Sequence, residues 1–172
     1  MLRVLDVFLQ IALRRRGPED VPDSRFLLLL AGLFYVIAQG LLAMPVYHSS
    51  LALARSLVLD LLLLCGCLWG LMRFTGHAPR YRQTLTAMLG TGALLGLCML
   101  PFNYWLDVAA DPGKPALGPT IGLLAVVSWS LAVNGHIFSR ALSAPFAAGM
   151  AISIAYFFLN YLVFAQFGPT PL

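Results

Sequence analysis

Charge is scarce along this chain. Acidic and basic residues together make up 10% of the 172 residues, hydrophobic residues make up 60%, and mean hydropathy is +0.84. Soluble domains carry about 25% charged residues, so a water-exposed globular domain is excluded. Lysine occurs only at Lys114, and arginine supplies nearly all of the positive charge. A net charge of +4 would suit nucleic acid if the basic residues formed a patch. Here they punctuate apolar runs instead, and no nucleic-acid partner is expected.

Cysteine is also sparse. Cys65, Cys67 and Cys98 all lie inside apolar runs. Cys65-Gly66-Cys67 lacks zinc-ligand spacing and is not the redox motif C-x-x-C. Residues two apart do not share a helix face, so these thiols are read as small packing residues. Catalytic signatures are missing as well: there is no H-E-x-x-H, no G-x-S-x-G and no glycine-rich phosphate loop ahead of a helix. His48, His77 and His136 fall in three separate loops. His48 is placed on the opposite side of the membrane from the other two, so a shared metal is excluded. No catalytic residue, metal or cofactor is therefore assigned. The N-terminal stretch has its arginine cluster after the apolar part and no small-residue cleavage site, the reverse of a signal peptide.

Five long apolar runs are what the chain does have. They span about Phe26–Val46, Leu51–Phe74, Thr84–Phe102, Leu117–Asn134 and Ala144–Phe167, each near the roughly 17–25 residues that cross a bilayer. The breaks have physical causes: Pro45 and polar residues after the first run, arginines around Gly76 and Pro79 after the second, and Pro112, Gly113 and Pro115 after the third. Asn134-Gly135, His136 and Arg140 follow the fourth. The expected fold is an all-α membrane protein, one bundle of five transmembrane helices in residues 25–172.

Loops rich in Lys and Arg stay cytoplasmic. With the N-terminus inside, Arg3, Arg14, Arg15, Arg16, Arg25, Arg73, Arg80, Arg82 and Arg140 fall on the inner side. Only Arg55 and Lys114 fall outside. The expected orientation is N-terminus cytoplasmic and C-terminus periplasmic, and short loops with arginine favoured over lysine suggest a bacterial inner membrane. Residues 1–24 form a separate segment. Leu2, Leu5, Phe8, Leu9 and Ala12 recur at helical spacing, which predicts a short amphipathic helix at the cytoplasmic interface, followed by a linker. Asp23 or Ser24 can cap the first span.

Pairs of glycines one turn apart let helices approach closely. Gly66 and Gly70, Gly92 and Gly96, and Gly118 and Gly122 supply such pairs on spans two, three and four, and Ala147, Ala151 and Ala155 act alike on span five. Most of these faces are expected to pack within the chain. Pro101 is expected to kink or end span three, and Trp129 to be a packing residue.

Asp60 stands among leucines in span two. A charge there is costly, so the side chain should face the bundle. Counting at 1.5 Å per residue from the outer interface puts Asp60 about 13 Å deep, Gln39 and Asn160 about 10 Å and Ser128 about 16 Å. These four side chains form a candidate intramembrane polar site in one layer, with Tyr35 and Tyr156 deeper. A second candidate is an inner basic patch of Arg80, Arg82, Arg140, His77 and His136, with the chemistry to bind a phosphate or a lipid head group. Positive-inside arginines are expected without any ligand, so the patch alone does not decide between these readings.

Arg80–Pro101, RYRQTLTAMLGTGALLGLCMLP, and Leu123–Leu159, from LLAVVSWS to AISIAYFFL, join basic turns to apolar spans. With an N-terminal segment ahead of five clustered spans, they resemble the Yip-type domain family. The resemblance implies a five-span fold, with trafficking or membrane-shaping roles among eukaryotic members. The D-L-Y-G-P and G-Y motifs of those members are not present, so no residue role carries over. The expected function is a non-catalytic scaffold, assembly factor or accessory subunit, whose partners are the lipid bilayer and a membrane protein or further copies of itself. The alternative is a small transporter or ion-coupled subunit acting through Asp60. One five-span chain would then need to oligomerise, because the inverted repeats of transporters are not evident. A third, weaker reading is a lipid-modifying enzyme using the basic patch.

Overall fold

An apolar run with no water to bond its backbone is stable in a bilayer as a helix. The computed structural model, which describes residues 2–47, 49–109 and 116–167, has this form throughout. Helices α1 (Leu2–Ala12), α2 (Arg25–Ala43), α3 (Ser50–Phe74), α4 (Tyr81–Val108), α5 (Leu117–Ala141) and α6 (Phe146–Phe167) follow in order, with short 3-10 turns at Pro18–Asp20 and Ala78–Arg80. Five of them, α2 to α6, are long and apolar enough to cross a membrane. The chain is a polytopic membrane protein of the all-helical class.

Two spans run further than their apolar runs. Helix α4 passes through Pro101 to Val108, although proline removes one backbone bond. Beyond the proline, Phe102 packs over Gly122 and Trp105 over Gly118 of α5, and these contacts hold the extra turns in place. Helix α5 continues past Asn134 to Ala141. The stretch reads as a polar break, yet Val133, Ile137, Phe138 and Ala141 keep one apolar face, and all four are buried.

Helix α4 is the centre of the bundle. Thr84 to Thr91 are all buried, so this segment is covered on every side. Its threonines meet the lack of water by bonding to their own helix: Thr84 Oγ1 donates to the Arg80 carbonyl at 2.9 Å, Thr86 Oγ1 to Arg82 at 2.8 Å and Thr91 Oγ1 to Ala87 at 2.7 Å. Helices α2 and α5 flank α4, and α6 lies against α5. Helix α3 touches α2, α4 and α6 only sparsely.

The glycines mark the close approaches. On α4, Gly92 faces the Tyr35 ring and Gly96 faces Ala38 and Gln39 of α2. Gly149 of α6 lies against the Gly135 carbonyl and the Ser139 backbone of α5. One turn along, the buried Ser153 Oγ donates to the Leu131 carbonyl at 2.9 Å. The pair on α3 differs: nothing lies within 4 Å of where a Cβ on Gly66 or Gly70 would sit.

Helix α1 docks on α4 and α5. Phe8 seats on Gly90, and Phe8, Ile11 and Ala12 are buried. Trp129, expected only to pack, also donates its indole N–H to the Ala12 carbonyl at 2.9 Å. Leu5, Leu9 and Leu13 form a second stripe that stays exposed. The helix thus has two apolar faces, one for the bundle and one for its surroundings. The linker to α2 lies across the bundle end. Glu19 pairs with Arg140, Asp23 pairs with Arg82 at 2.9 Å, and Gln83 donates to the Val21 carbonyl at 3.2 Å. Ser24, not Asp23, caps α2, its Oγ accepting from the Leu27 amide.

A Cβ on Gly149 would collide with the backbone of α5, which cannot move aside as a side chain can, whereas one on Gly70 meets open space. Gly149→Ala is expected to destabilise the bundle by ~1–3 kcal/mol, and Gly70→Ala to leave it unchanged. Unfolding of the two variants in mixed micelles compares them directly.

Candidate functional site

A carboxyl group inside a bundle needs hydrogen-bond donors from the protein. Asp60, half-buried on α3, finds its first on α2: the Tyr35 hydroxyl donates to Oδ2 at 2.7 Å. Tyr35 is itself buried, its ring lying over Gly92 of α4. Asn160 of α6 faces the same carboxyl and also the Tyr156 hydroxyl. Gln39, one turn after Tyr35 on α2, faces the Tyr35 hydroxyl. Asp60 and four polar side chains from α2 and α6 thus form one connected cluster.

This arrangement differs in membership from the expected layer. Asp60, Gln39 and Asn160 are brought together. Ser128 is exposed on α5 and is not among the groups that interact with Asp60. The depth count places Ser128 in the layer, but depth does not fix the direction a residue takes around its helix. Tyr35 and Tyr156 read as lying too deep, yet both join the cluster because a phenol hydroxyl sits far from its own Cα. Tyr161, next to Asn160, is exposed and points elsewhere.

The cluster bridges a gap in the bundle. Helix α3 has few close contacts, and Asp60 ties it to α2 while facing α6. A second polar tie lies towards the other end, where the Tyr81 hydroxyl of α4 donates to the Cys65 carbonyl at 3.3 Å. Beside the Cys65 tie, α3, α4, α5 and α6 leave an apolar cleft of about 200 Å³ that reaches Tyr156 and Cys67. Cys65 and Cys67 are half-buried free thiols and Cys98 is an exposed one. Among the described residues no group of three or more metal-ligating side chains comes together.

The basic patch divides into separate sites. Arg80 and Arg140 line one cleft of about 480 Å³, between the start of α4, the end of α5 and the linker. Arg82 is engaged by Asp23 and does not line it. The His136 ring bonds the Arg16 carbonyl through Nε2 at 2.9 Å, which fastens the linker to α5. His77 lies in the turn between α3 and α4, and its Nδ1 is buried with no hydrogen-bond partner among the described residues. The two imidazoles, expected as one patch with the arginines, thus serve separate places. His48, Asp111 and Lys114 lie outside the described residues.

The linker contacts are what sequence reasoning missed. Their signal is compositional: Glu19, Asp20 and Asp23 hold three of the seven acidic residues within five positions, in a chain whose basic residues collect at the same end.

Removing the Asp60 acceptor strands the Tyr35 donor. Asp60→Asn, which keeps an acceptor, is expected to cost less than Asp60→Leu. A double-mutant cycle of Asp60→Leu with Tyr35→Phe should return a coupling of about 1–2 kcal/mol, the size of an interhelical hydrogen bond in a membrane. Denaturant titration of the four proteins in mixed micelles measures it. Comparison with family models, curated proteins and solved structures returns no match for this chain.

Proposed function

We propose that this polytopic membrane protein is a non-catalytic accessory or scaffold subunit, docking through α3 onto a transmembrane helix of another membrane protein. The observation that carries this reading is the open glycine pair on α3. Gly92, Gly96, Gly118 and Gly122 each have a side chain of the same protein seated on them, but Gly66 and Gly70 have nothing within 4 Å. Leu62 and Trp69, 66% and 60% exposed, stand beside them on the same outward side of the helix. Small residues between large ones make a groove suited to a helix backbone. Without a partner, this groove forgoes the packing that the other glycine pairs obtain.

The proposed setting is a bacterial inner membrane, with the N-terminus and the arginine-rich end in the cytoplasm, as the distribution of arginine supports. Membership of the Yip-type domain family is part of the same proposal, and its support is the five-span order and the two stretches of similar character. A second reading, an ion-coupled subunit, has its own support in the polar cluster that Asp60 forms with Tyr35, Gln39, Tyr156 and Asn160. It requires flux of protons or a monovalent cation into vesicles reconstituted with the protein, lost in Asp60→Asn.

Gly66→Leu and Gly70→Leu are expected to cut recovery of a specific membrane partner by about tenfold or more, corresponding to ~1.4 kcal/mol or more, while leaving the unfolding of the bundle unchanged. Quantitative mass spectrometry after gentle detergent extraction measures this. Loss of self-association alone would make the partner a second copy. Unchanged recovery of every co-purifying protein would reject the groove as a docking face.

A further inference from the structure

The cleft at the basic end is lined by two guanidinium groups, and one of them is already occupied. Arg140 is held by the Glu19 carboxylate, through Nη2 and through Nε at 2.7 Å. Both partners remain about half exposed, at 56% and 44%, so the pair is accessible and screened, and an exposed ion pair of this kind is weak. Among the described residues, Arg80 bonds through one nitrogen. Its Nη1 donates to the Ala141 carbonyl at 3.0 Å and to Ser143 Oγ at 2.9 Å, leaving Nη2 and Nε for a further acceptor. Ser143 adopts φ 52°, a left-handed conformation usual for glycine. The strained residue thus turns its hydroxyl to Arg80 at the rim of the cleft.

The remaining lining suits an oxyanion. Gln83 and Ser139 add polar side chains, and the volume of about 480 Å³ falls in the roughly 300–1,000 Å³ range of small-ligand sites. Two arginines against one carboxylate leave the cleft net positive. Guanidinium forks match phosphate oxygens in geometry as well as charge. A basic end of a bundle whose spans cross a bilayer lies where lipid phosphates are concentrated.

We propose that this cleft binds a phosphate group between Arg80 and Arg140, and that Glu19 is the intramolecular occupant the phosphate displaces. The linker then acts as a gate. With the site empty, Glu19 satisfies Arg140. With phosphate bound, the Glu19 carboxylate is released and that anchor of the linker is undone, while Asp23 keeps its own hold on Arg82. The phosphate can come from a lipid head group or from solution, and the chemistry of the cleft is the same for both.

The test uses the full-length protein purified in neutral detergent. One arm titrates inorganic phosphate and follows thermal unfolding. The other compares micelles of phosphatidylcholine alone with micelles doped with phosphatidic acid, and counts retained anionic lipid by native mass spectrometry. Arg80→Gln and Arg140→Gln are expected to weaken binding about 10- to 100-fold, the loss of one charge-assisted hydrogen-bonding group. Glu19→Gln should tighten it by about 3- to 10-fold, as an exposed competing ion pair is removed. Asp23→Asn takes the same charge from the same linker but from outside the cleft, and should change affinity by less than about twofold, since screened distant charges matter little. An increase in affinity cannot come from misfolding, so Glu19→Gln tests the gate even if an arginine variant folds poorly. Retention of phosphatidic acid without a response to inorganic phosphate identifies the head group as the source, and a response in both arms admits free phosphate. Equal binding by wild type, Arg80→Gln and Arg140→Gln in both arms would overturn the site. Equal tightening by Asp23→Asn and Glu19→Gln would overturn the gate.

Discussion

Hydrocarbon offers a polar atom no partner, and the interior of this bundle is arranged around that lack. The threonines of α4 turn back to their own helix. Ser153 reaches across to α5, and Trp129 reaches across to α1. Asp60, the one acidic side chain within a span's apolar stretch, collects a phenol and faces one amide. None of these bonds adds much alone, because the chain inserted but unpacked also finds partners. Their collective effect is specificity. Each polar atom satisfied across helices selects one rotation of its helix, and apolar packing then refines the fit.

The bundle also has a gradient of commitment. At its centre, α4 is enclosed by α1, α2 and α5 over two turns and has little room to change. Helices α5 and α6 are locked by the facing glycines Gly135 and Gly149. Helix α3 is different: one buried row, Ser56, Leu64, Leu68 and Met72, and polar ties at Asp60 and Cys65 hold it beside an apolar cleft. A helix with so few close neighbours shifts at lower cost than one enclosed on every side. The same helix carries the open glycine groove. Of all the spans, it is the one whose position a partner could alter most readily.

Much of this architecture was legible in the amino-acid order, for reasons that also explain what was not. Hydropathy finds the spans because transfer into lipid acts on each residue almost independently. It misplaces their ends where side chains pack against protein. Ile137 and Phe138 carry α5 through a stretch that reads as polar, and Phe102 and Trp105 carry α4 past Pro101. Depth along a helix is equally additive, so Asp60, Gln39 and Asn160 could be grouped by counting. Direction around the helix depends on neighbours, and Ser128 drops out of the group for that reason. The linker was the least legible part. The pairing of Glu19 with Arg140 spans more than two thirds of the chain, and local patterning carries no information about such a partner.

Trp129 and Ala12 stand 117 positions apart, and Glu19 and Arg140 stand 121 apart. Helix α1 precedes α4 and α5 in the chain, so it leaves the ribosome before the groove that receives it exists. Until those spans emerge it has no protein surface to cover Phe8 and Ile11. Its two apolar faces suit that interval, since a helix that can rest one stripe of leucines in the membrane boundary is protected while it waits. Docking of α1 is then a late event, and the tie from Trp129 marks the moment when the fourth span has arrived.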